Sequence, residues 1–224
     1  MRIRRRKHLE ERLEKIKDYI IIADKKQVNV LEALKDKKYI DFAKEFGNNN
    51  PICLEIGCGK GKFIIEKAKQ NPNVNYIAVE MLENIILIAC ETAKEEGLKN
   101  VKFINSGAEY LRRYIKENSI NEIYLNFSPP YHKNGYESRR LSNERFAKSY
   151  FEMLINGGKL IQKTDDKIFF DYSFEKFLEC GFKVVDVSNE LYLPNSTNII
   201  TEYESKWLSL NMPIYSLHAI KQLK

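Results

Sequence analysis

Hydrophobic spacing changes character along the chain. Between Lys7 and Ile22, Leu9, Leu13 and Ile16 recur at helical intervals among alternating charges, which predicts an amphipathic helix laid on the main body. Asn48-Asn49-Asn50-Pro51 is a loop signal that closes this section. Short apolar runs then replace the helical period. Ile52-Cys53-Leu54-Glu55-Ile56, bounded by Pro51 and Gly57, reads as a buried strand, and Phe63, Ile64 and Ala68 as the inward face of the next helix. Tyr76 to Glu80 is a second strand, followed by a helix carrying Ile85, Ile88, Ala89 and Ala93. Val101 to Asn105 and Glu122 to Phe127 are predicted as the third and fourth strands. A helix over Phe146 to Leu154 is stopped by Asn156-Gly157-Gly158, and Lys159 to Lys163 begins a fifth strand. Phe169 to Leu178 is helical and ended by Gly181; Phe182 to Val187 is a strand; Ile199 to Tyr203 and Pro213 to Ala219 form a closing strand pair.

Strand–helix alternation of this kind predicts an α/β fold: a doubly wound, mostly parallel sheet with helices on both faces. The final strands without intervening helices predict an antiparallel edge strand. With 224 residues the chain fits one such domain over 51–224, preceded by an arm and helix over 1–50 that pack on it.

Composition narrows the class. Hydrophobic residues make up 43%, enough to exclude a wholly disordered chain. Cys53, Cys58, Cys90 and Cys180 are widely spaced, which argues against a zinc site and a disulfide framework and suits a reducing compartment. No apolar core follows the basic N-terminus, and no stretch approaches the roughly 20 apolar residues of a membrane span. A cytoplasmic protein without membrane or metal partners is expected. The net charge of +6 is uneven. Arg2, Arg4, Arg5, Arg6 and Lys7 form one cluster; Arg139, Arg140, Arg145 and Lys148 form another. Clustered cations suit phosphate backbones, although a solvated tail and a helix start would look the same.

The stretch Glu55-Ile56-Gly57-Cys58-Gly59-Lys60-Gly61 is the first chemical signal. Alternate glycines after a buried strand let the backbone turn tightly and approach a ligand. A dinucleotide fingerprint needs G-x-G-x-x-G, but position 62 is Lys and Gly61 completes G-x-G-x-G, so NAD fits less well. Glu80 closes the second strand about 20 residues on, where a carboxylate accepts from ribose hydroxyls. These residues resemble the first motif of the class I methyltransferases. The resemblance implies a Rossmann-like sheet that binds S-adenosylmethionine through Glu55, Gly57, Gly59, Gly61 and Glu80. It also implies Asn105, Gly107, Ala108 and Asn126, at the ends of the third and fourth strands.

The second half specifies more. Tyr124-Leu125-Asn126-Phe127-Ser128-Pro129-Pro130, Lys133, Arg139-Arg140-Leu141, Lys163-Thr164-Asp165, Thr201-Glu202-Tyr203-Glu204 and Pro213-Ile214-Tyr215 occur in order. Together with Arg2 they resemble the bacterial tRNA (guanine-N7)-methyltransferases over essentially the whole chain. That implies methylation of a tRNA guanine in the variable loop. The implied substrate residues are Lys133, Arg139, Arg140, Asp165, Thr201, Glu202, Tyr203 and Glu204. Guanine offers N1–H and N2 amino donors, which suit Asp165, Glu202 or Glu204; the cations suit O6 or phosphate. Tyr131 or Tyr203 could stack on a splayed base.

The chain departs from the family at two places. The family pattern Asn-Phe-(Ser or Pro)-Asp-Pro-Trp supplies a catalytic aspartate where Pro129 stands, and Tyr131 takes the Trp position. An acid expected beyond the third strand, which in many methyltransferases contacts the adenine amino group, is Gly107 here; Asn105 or a backbone carbonyl would substitute. The catalytic group is therefore open, with Asp165, Glu202 and Glu204 as candidates. Three readings compete with an active tRNA methyltransferase: a non-catalytic RNA-binding relative, a methyltransferase of small molecules or proteins, and an NAD-linked oxidoreductase. Monomer and homodimer both remain open.

Overall fold

The computed structural model describes residues 8–23, 29–133, 135–188, 199, 202–210 and 212–222. The basic arm from Arg2 to Lys7 lies outside them, as does Thr201. The chain divides into two compact units, Met1–Tyr114 and Ile115–Lys224.

The first unit begins with helix α1 (Leu9–Lys15), which buries Leu9 and ends near the buried Ile16. The helix expected to run to Ile22 stops here, because Ile20–Ala23 forms strand β1. Three successive isoleucines are stiff at χ1 and pack better on a pleated surface than on a short helix. Helices α2 (Val30–Lys35) and α3 (Phe42–Phe46) follow, capped by the side chains of Asn29 and Asp41. Strands β2 (Ile52–Ile56), β3 (Asn75–Val79) and β4 (Val101–Asn105) alternate with helices α4 (Lys62–Gln70) and α5 (Glu83–Glu95). The four strands pair in the order β1-β4-β3-β2, all parallel. Every residue of β2 and β3 is buried, as expected of parallel strands covered on both faces. A one-turn helix, α6 (Leu111–Tyr114), closes the unit.

The second unit contains β5 (Ile120–Asn126), α7 (Glu144–Met153), β6 (Leu154–Thr164), α8 (Lys167–Glu179), β7 (Phe182–Ser188), α9 (Glu202–Ser209) and β8 (Tyr215–Lys221). Its strands lie in the order β5-β6-β8-β7. β5 and β6 are parallel, and β8 is antiparallel to both β6 and β7. The predicted antiparallel strand is thus β8, with β7 outside it.

Three expectations for this unit are corrected. Asn156-Gly157-Gly158 does not separate helix from strand but is a bulge inside β6, where the pairing jumps from Ile120↔Leu154 to Glu122↔Lys159. Gly157 takes φ +79 there, and a Cβ on Gly158 would stand 2.9 Å from the carbonyl oxygen of Ile155. Of the strand expected over Ile199 to Tyr203, Glu202 and Tyr203 instead open α9, whose Glu and Lys residues favour helix, while Ile200 and Thr201 lie outside the described residues. The last strand starts at Tyr215 rather than Pro213, since proline has no N–H for a ladder. Among the described residues no helix is long and apolar enough to cross a membrane.

Candidate functional site

In the first unit the chain leaves β2 through Gly57, Gly59 and Gly61, at φ +80, +56 and +84. The N–H groups of Gly57 and Cys58 both donate to the Val79 carbonyl at 2.8 and 3.0 Å, folding the loop over the end of β3. Two different demands fall on these glycines. A Cβ at Gly61 would lie 2.7 Å from the Ala89 Cβ, so this glycine lets α4 start against α5. A Cβ at Gly59 would meet nothing within 4 Å. There the backbone turns beside open space, which a ligand can enter.

Glu80 sits in that turn with its carboxylate fixed. Oε2 accepts from the Gly59 N–H at 3.2 Å, and Oε1 accepts from the Leu82 N–H at 2.9 Å. Its own backbone is held too, since Asn105 Nδ2 donates to the Glu80 carbonyl at 2.8 Å. Each carboxylate oxygen keeps lone-pair capacity for a second donor. A rigid acceptor pair next to an open glycine turn is suited to vicinal hydroxyls. Glu55 is buried one strand away, and burial, followed by the charges of Glu55 and Glu80, pushes the Cys58 thiol well up. Cys58 is therefore an inert thiol rather than a nucleophile.

The loop after β4 places a carboxylate beside one of the departures. Asn105 is committed to the Glu80 carbonyl. Gly107 has φ −76, a conformation open to any residue. A Cβ at this position would stand 2.4 Å from Glu109 Oε2, so the Glu109 carboxylate fills the space a side chain at 107 would occupy. Glu109 went unnoticed in the sequence because it lies two residues downstream of the expected acid. Ala108 opens the single 3-10 turn that carries it. Ser106 Oγ is buried with no hydrogen-bond partner among the described residues.

In the second unit β5 ends at Asn126, half-buried and paired in register with Lys163. Phe127 and Tyr131 then take positive φ values of 51° and 45°, uncommon for residues with side chains. Pro129 is exposed and brings no charge to this turn. His132 Nε2 lies 2.6 Å from Asp166 Oδ2, and Asp166 also caps α8 by accepting from the Phe169 N–H at 2.7 Å. Lys133 is exposed.

The two arginines are not equivalent. Arg139 is exposed, with its guanidinium 4.6 Å from the centroid of the Tyr136 ring. Arg140 is half-buried and donates to the carbonyls of Pro130 and Tyr131.

Of the candidate carboxylates, Glu204 is fully buried and paired with Lys163 at 2.9 Å. Asp165, immediately after the end of β6, is half-buried. Glu202 and Tyr203 open α9. Among the described residues no group of three His, Cys, Asp or Glu could hold a metal ion.

Residues 49–217 match the Methyltransf_4 family, described as "Putative methyltransferase". The tRNA (guanine-N(7)-)-methyltransferase of Bacillus velezensis is 43% identical over 171 residues, 76% of this chain and 79% of the relative. The enzyme of the same name from Streptococcus thermophilus is 34% identical over 220 residues, 98% of each chain. Among solved structures, the 16S rRNA methyltransferase KamB superposes with a TM-score of 0.62 at 15% identity, covering 82% of this chain and 95% of that one. That likeness shows the Rossmann-like methyltransferase fold.

Proposed function

Since the chain belongs to the tRNA (guanine-N7)-methyltransferase family, we propose that it transfers the methyl group of S-adenosylmethionine to N7 of a guanine in the variable loop of tRNA. The observation that carries the reading is the Glu80 carboxylate, clamped by the Gly59 and Leu82 N–H groups beside an open glycine turn. Such an acceptor pair takes the two ribose hydroxyls of the cofactor, and Gly57 and Gly59 leave room for its chain. Glu109, poised beside Gly107, takes the adenine amino group, the task the family gives to an acid at the neighbouring position.

Bound S-adenosylmethionine supplies an electrophilic methyl group on a sulfonium. Guanine N7 carries an available lone pair and no proton, so the protein needs no general base. Its own residues would hold the guanine with N7 towards that methyl group and favour the cationic purine produced. With Pro129 in place of an aspartate and Glu204 paired with Lys163, Asp165 or Glu202 is the carboxylate that faces that cation. Loss of one such electrostatic group typically lowers a rate about 10²-fold without abolishing the reaction. Lys133 and Arg139, both exposed, serve the RNA backbone or guanine O6. Thr201, Glu202 and Tyr203 keep their proposed role at the guanine edge. The protein works in the cytoplasm, where its substrate is found.

A second reading is favoured by Pro129: a relative that binds RNA but has lost catalysis. One experiment separates the two. Purified protein is incubated with unmodified tRNA and S-adenosylmethionine, the RNA is digested, and 7-methylguanosine is measured by mass spectrometry. Its appearance supports the enzyme; its absence while tRNA binding persists supports the non-catalytic relative.

A further inference from the structure

Arg139 and Arg140 look alike in sequence, yet only one of them presents its charge outward. Arg140 reaches back ten residues: Nε donates to the Pro130 carbonyl at 2.9 Å and Nη2 to the Tyr131 carbonyl at 3.3 Å. Its guanidinium lies 4.4 Å from the centroid of the Tyr172 ring on α8. Tyr172 is itself fixed, because its hydroxyl donates to Glu137 Oε1 at 2.8 Å and accepts from Asn143 Nδ2 at 3.2 Å. Asn143 in turn caps α7 through the Arg145 N–H. The end of this chain of contacts is the turn in which Phe127 and Tyr131 hold positive φ. Conformations of that kind persist only where the surroundings over-determine them.

We propose that Arg140 is a positioning residue of the methyl transfer, which locks the Pro130–Tyr131 backbone so that Tyr131 and Lys133 meet the guanine in one geometry, and that it is not a phosphate contact. The assignment rests on the proposed methyltransferase reading for its catalytic consequence. Chemistry requires arginine at this place. A planar guanidinium donates to two carbonyls in its own plane while its face rests on a ring. A lysine ammonium carries the same charge but lacks both the fork and the flat face. Arg139 has its head group in solvent and is the phosphate partner of the two.

The test uses the full chain with Arg140→Lys, Arg140→Met and Tyr172→Phe, each first checked for a wild-type thermal transition and circular dichroism spectrum. Amide hydrogen exchange over Tyr131–Lys133 is measured beside that of β5. Methylation gives kcat and KM for tRNA, and binding is followed against salt. Both Arg140 variants are expected to exchange faster at Tyr131–Lys133 with β5 unchanged. Arg140→Lys should lower kcat at least tenfold while its KM for tRNA stays within about twofold of wild type. Tyr172→Phe, which keeps the ring and loses its two hydroxyl bonds, should fall between. The salt slope of tRNA binding should be unaltered in Arg140→Met. A slope reduced by about one unit would make Arg140 a phosphate contact and overturn the proposal. Full activity in Arg140→Lys, or exchange unchanged in both arginine variants, would overturn it as well. Should the wild-type protein yield no 7-methylguanosine, the methyltransferase reading fails on its own, and exchange and salt slope still decide what Arg140 does.

Discussion

Lys163 Nζ lies 2.9 Å from Glu204 Oε1, and the two side chains keep 6% and 0% of their accessible surface. The pair fastens α9 to the end of β6 and joins two of the segments that mark the family. Breaking a buried pair from one side strands a charge and typically costs about 3–5 kcal/mol, whereas removing both charges together costs far less. Lys163→Met and Glu204→Leu are therefore expected to lower stability strongly when made singly, and the double variant to recover much of the loss. Chemical denaturation of the four proteins checks this. Single variants that lose under 1 kcal/mol would mean the pair is not a dry ion pair.

Gly59 and Gly61 are two residues apart but should fail differently. Both sit at positive φ, which costs alanine about 1–2 kcal/mol. Gly61→Ala adds a 2.7 Å approach to the Ala89 Cβ, so its total loss should be about 2–5 kcal/mol. Combining it with Ala89→Gly should return part of that loss, since the facing methyl is gone. Gly59→Ala meets no neighbour and should keep most of its stability while weakening S-adenosylmethionine binding, because the N–H that holds Glu80 is displaced. Calorimetric titration with the cofactor and thermal melts separate the two outcomes.

Much of this architecture is legible in sequence where punctuation and apolar runs coincide. Pro51 and Gly57 bracket β2, Pro72-Asn73 precede β3, and Asn100 and Ser106-Gly107 flank β4, so their extents are readable to within a residue or so. β1 is hidden because only Asp18, with no glycine or proline, marks a turn between an amphipathic helix and Ile20-Ile21-Ile22, and pairing with β4 makes it a strand. α9 is hidden because Ile199-Ile200 gives a local β signal just before Glu202, where the helix starts. In the site, glycine spacing and Glu80 are readable because their roles depend on chain-local geometry. The unequal fates of Arg139 and Arg140 are not, since adjacent identical residues differ only in what folds up against them. Glu109 is missed for a related reason: its carboxylate reaches the expected place from a different backbone position.

That position makes Glu109 testable. If its carboxylate takes the adenine amino group, Glu109→Gln should weaken S-adenosylmethionine and S-adenosylhomocysteine alike by about tenfold, as a charged hydrogen bond is worth about 1.5–3 kcal/mol. Because Gly107 has φ −76 and no backbone need for glycine, the double variant Gly107→Asp with Glu109→Ala should restore binding toward wild type. Equal affinity in Glu109→Gln, measured by titration calorimetry, would remove Glu109 from the cofactor site.

His218 gives the protein an acid-side weakness that is separate from catalysis. It lies on β8, opposite Ile161 of β6 and Asp186 of β7. Burial is the largest cause and holds its pKa below the ordinary 6.5; Asp186 comes next and pulls it up, Lys159 and Lys163 push it down again, and Glu122 raises it least. The folded protein therefore binds this proton less readily than the unfolded chain does. Between an unfolded value of about 6.5 and the lower folded value, the unfolded state carries more protons, so stability rises with pH through that window and falls on acidification. The contribution is fully present above pH 6.5 and is lost as the pH drops through the folded pKa. His218→Gln, which cannot titrate, should flatten the fall in melting temperature between pH 7 and 5.5 relative to wild type. Parallel melts across that range check it, and identical slopes would show that some other group governs the acid limb.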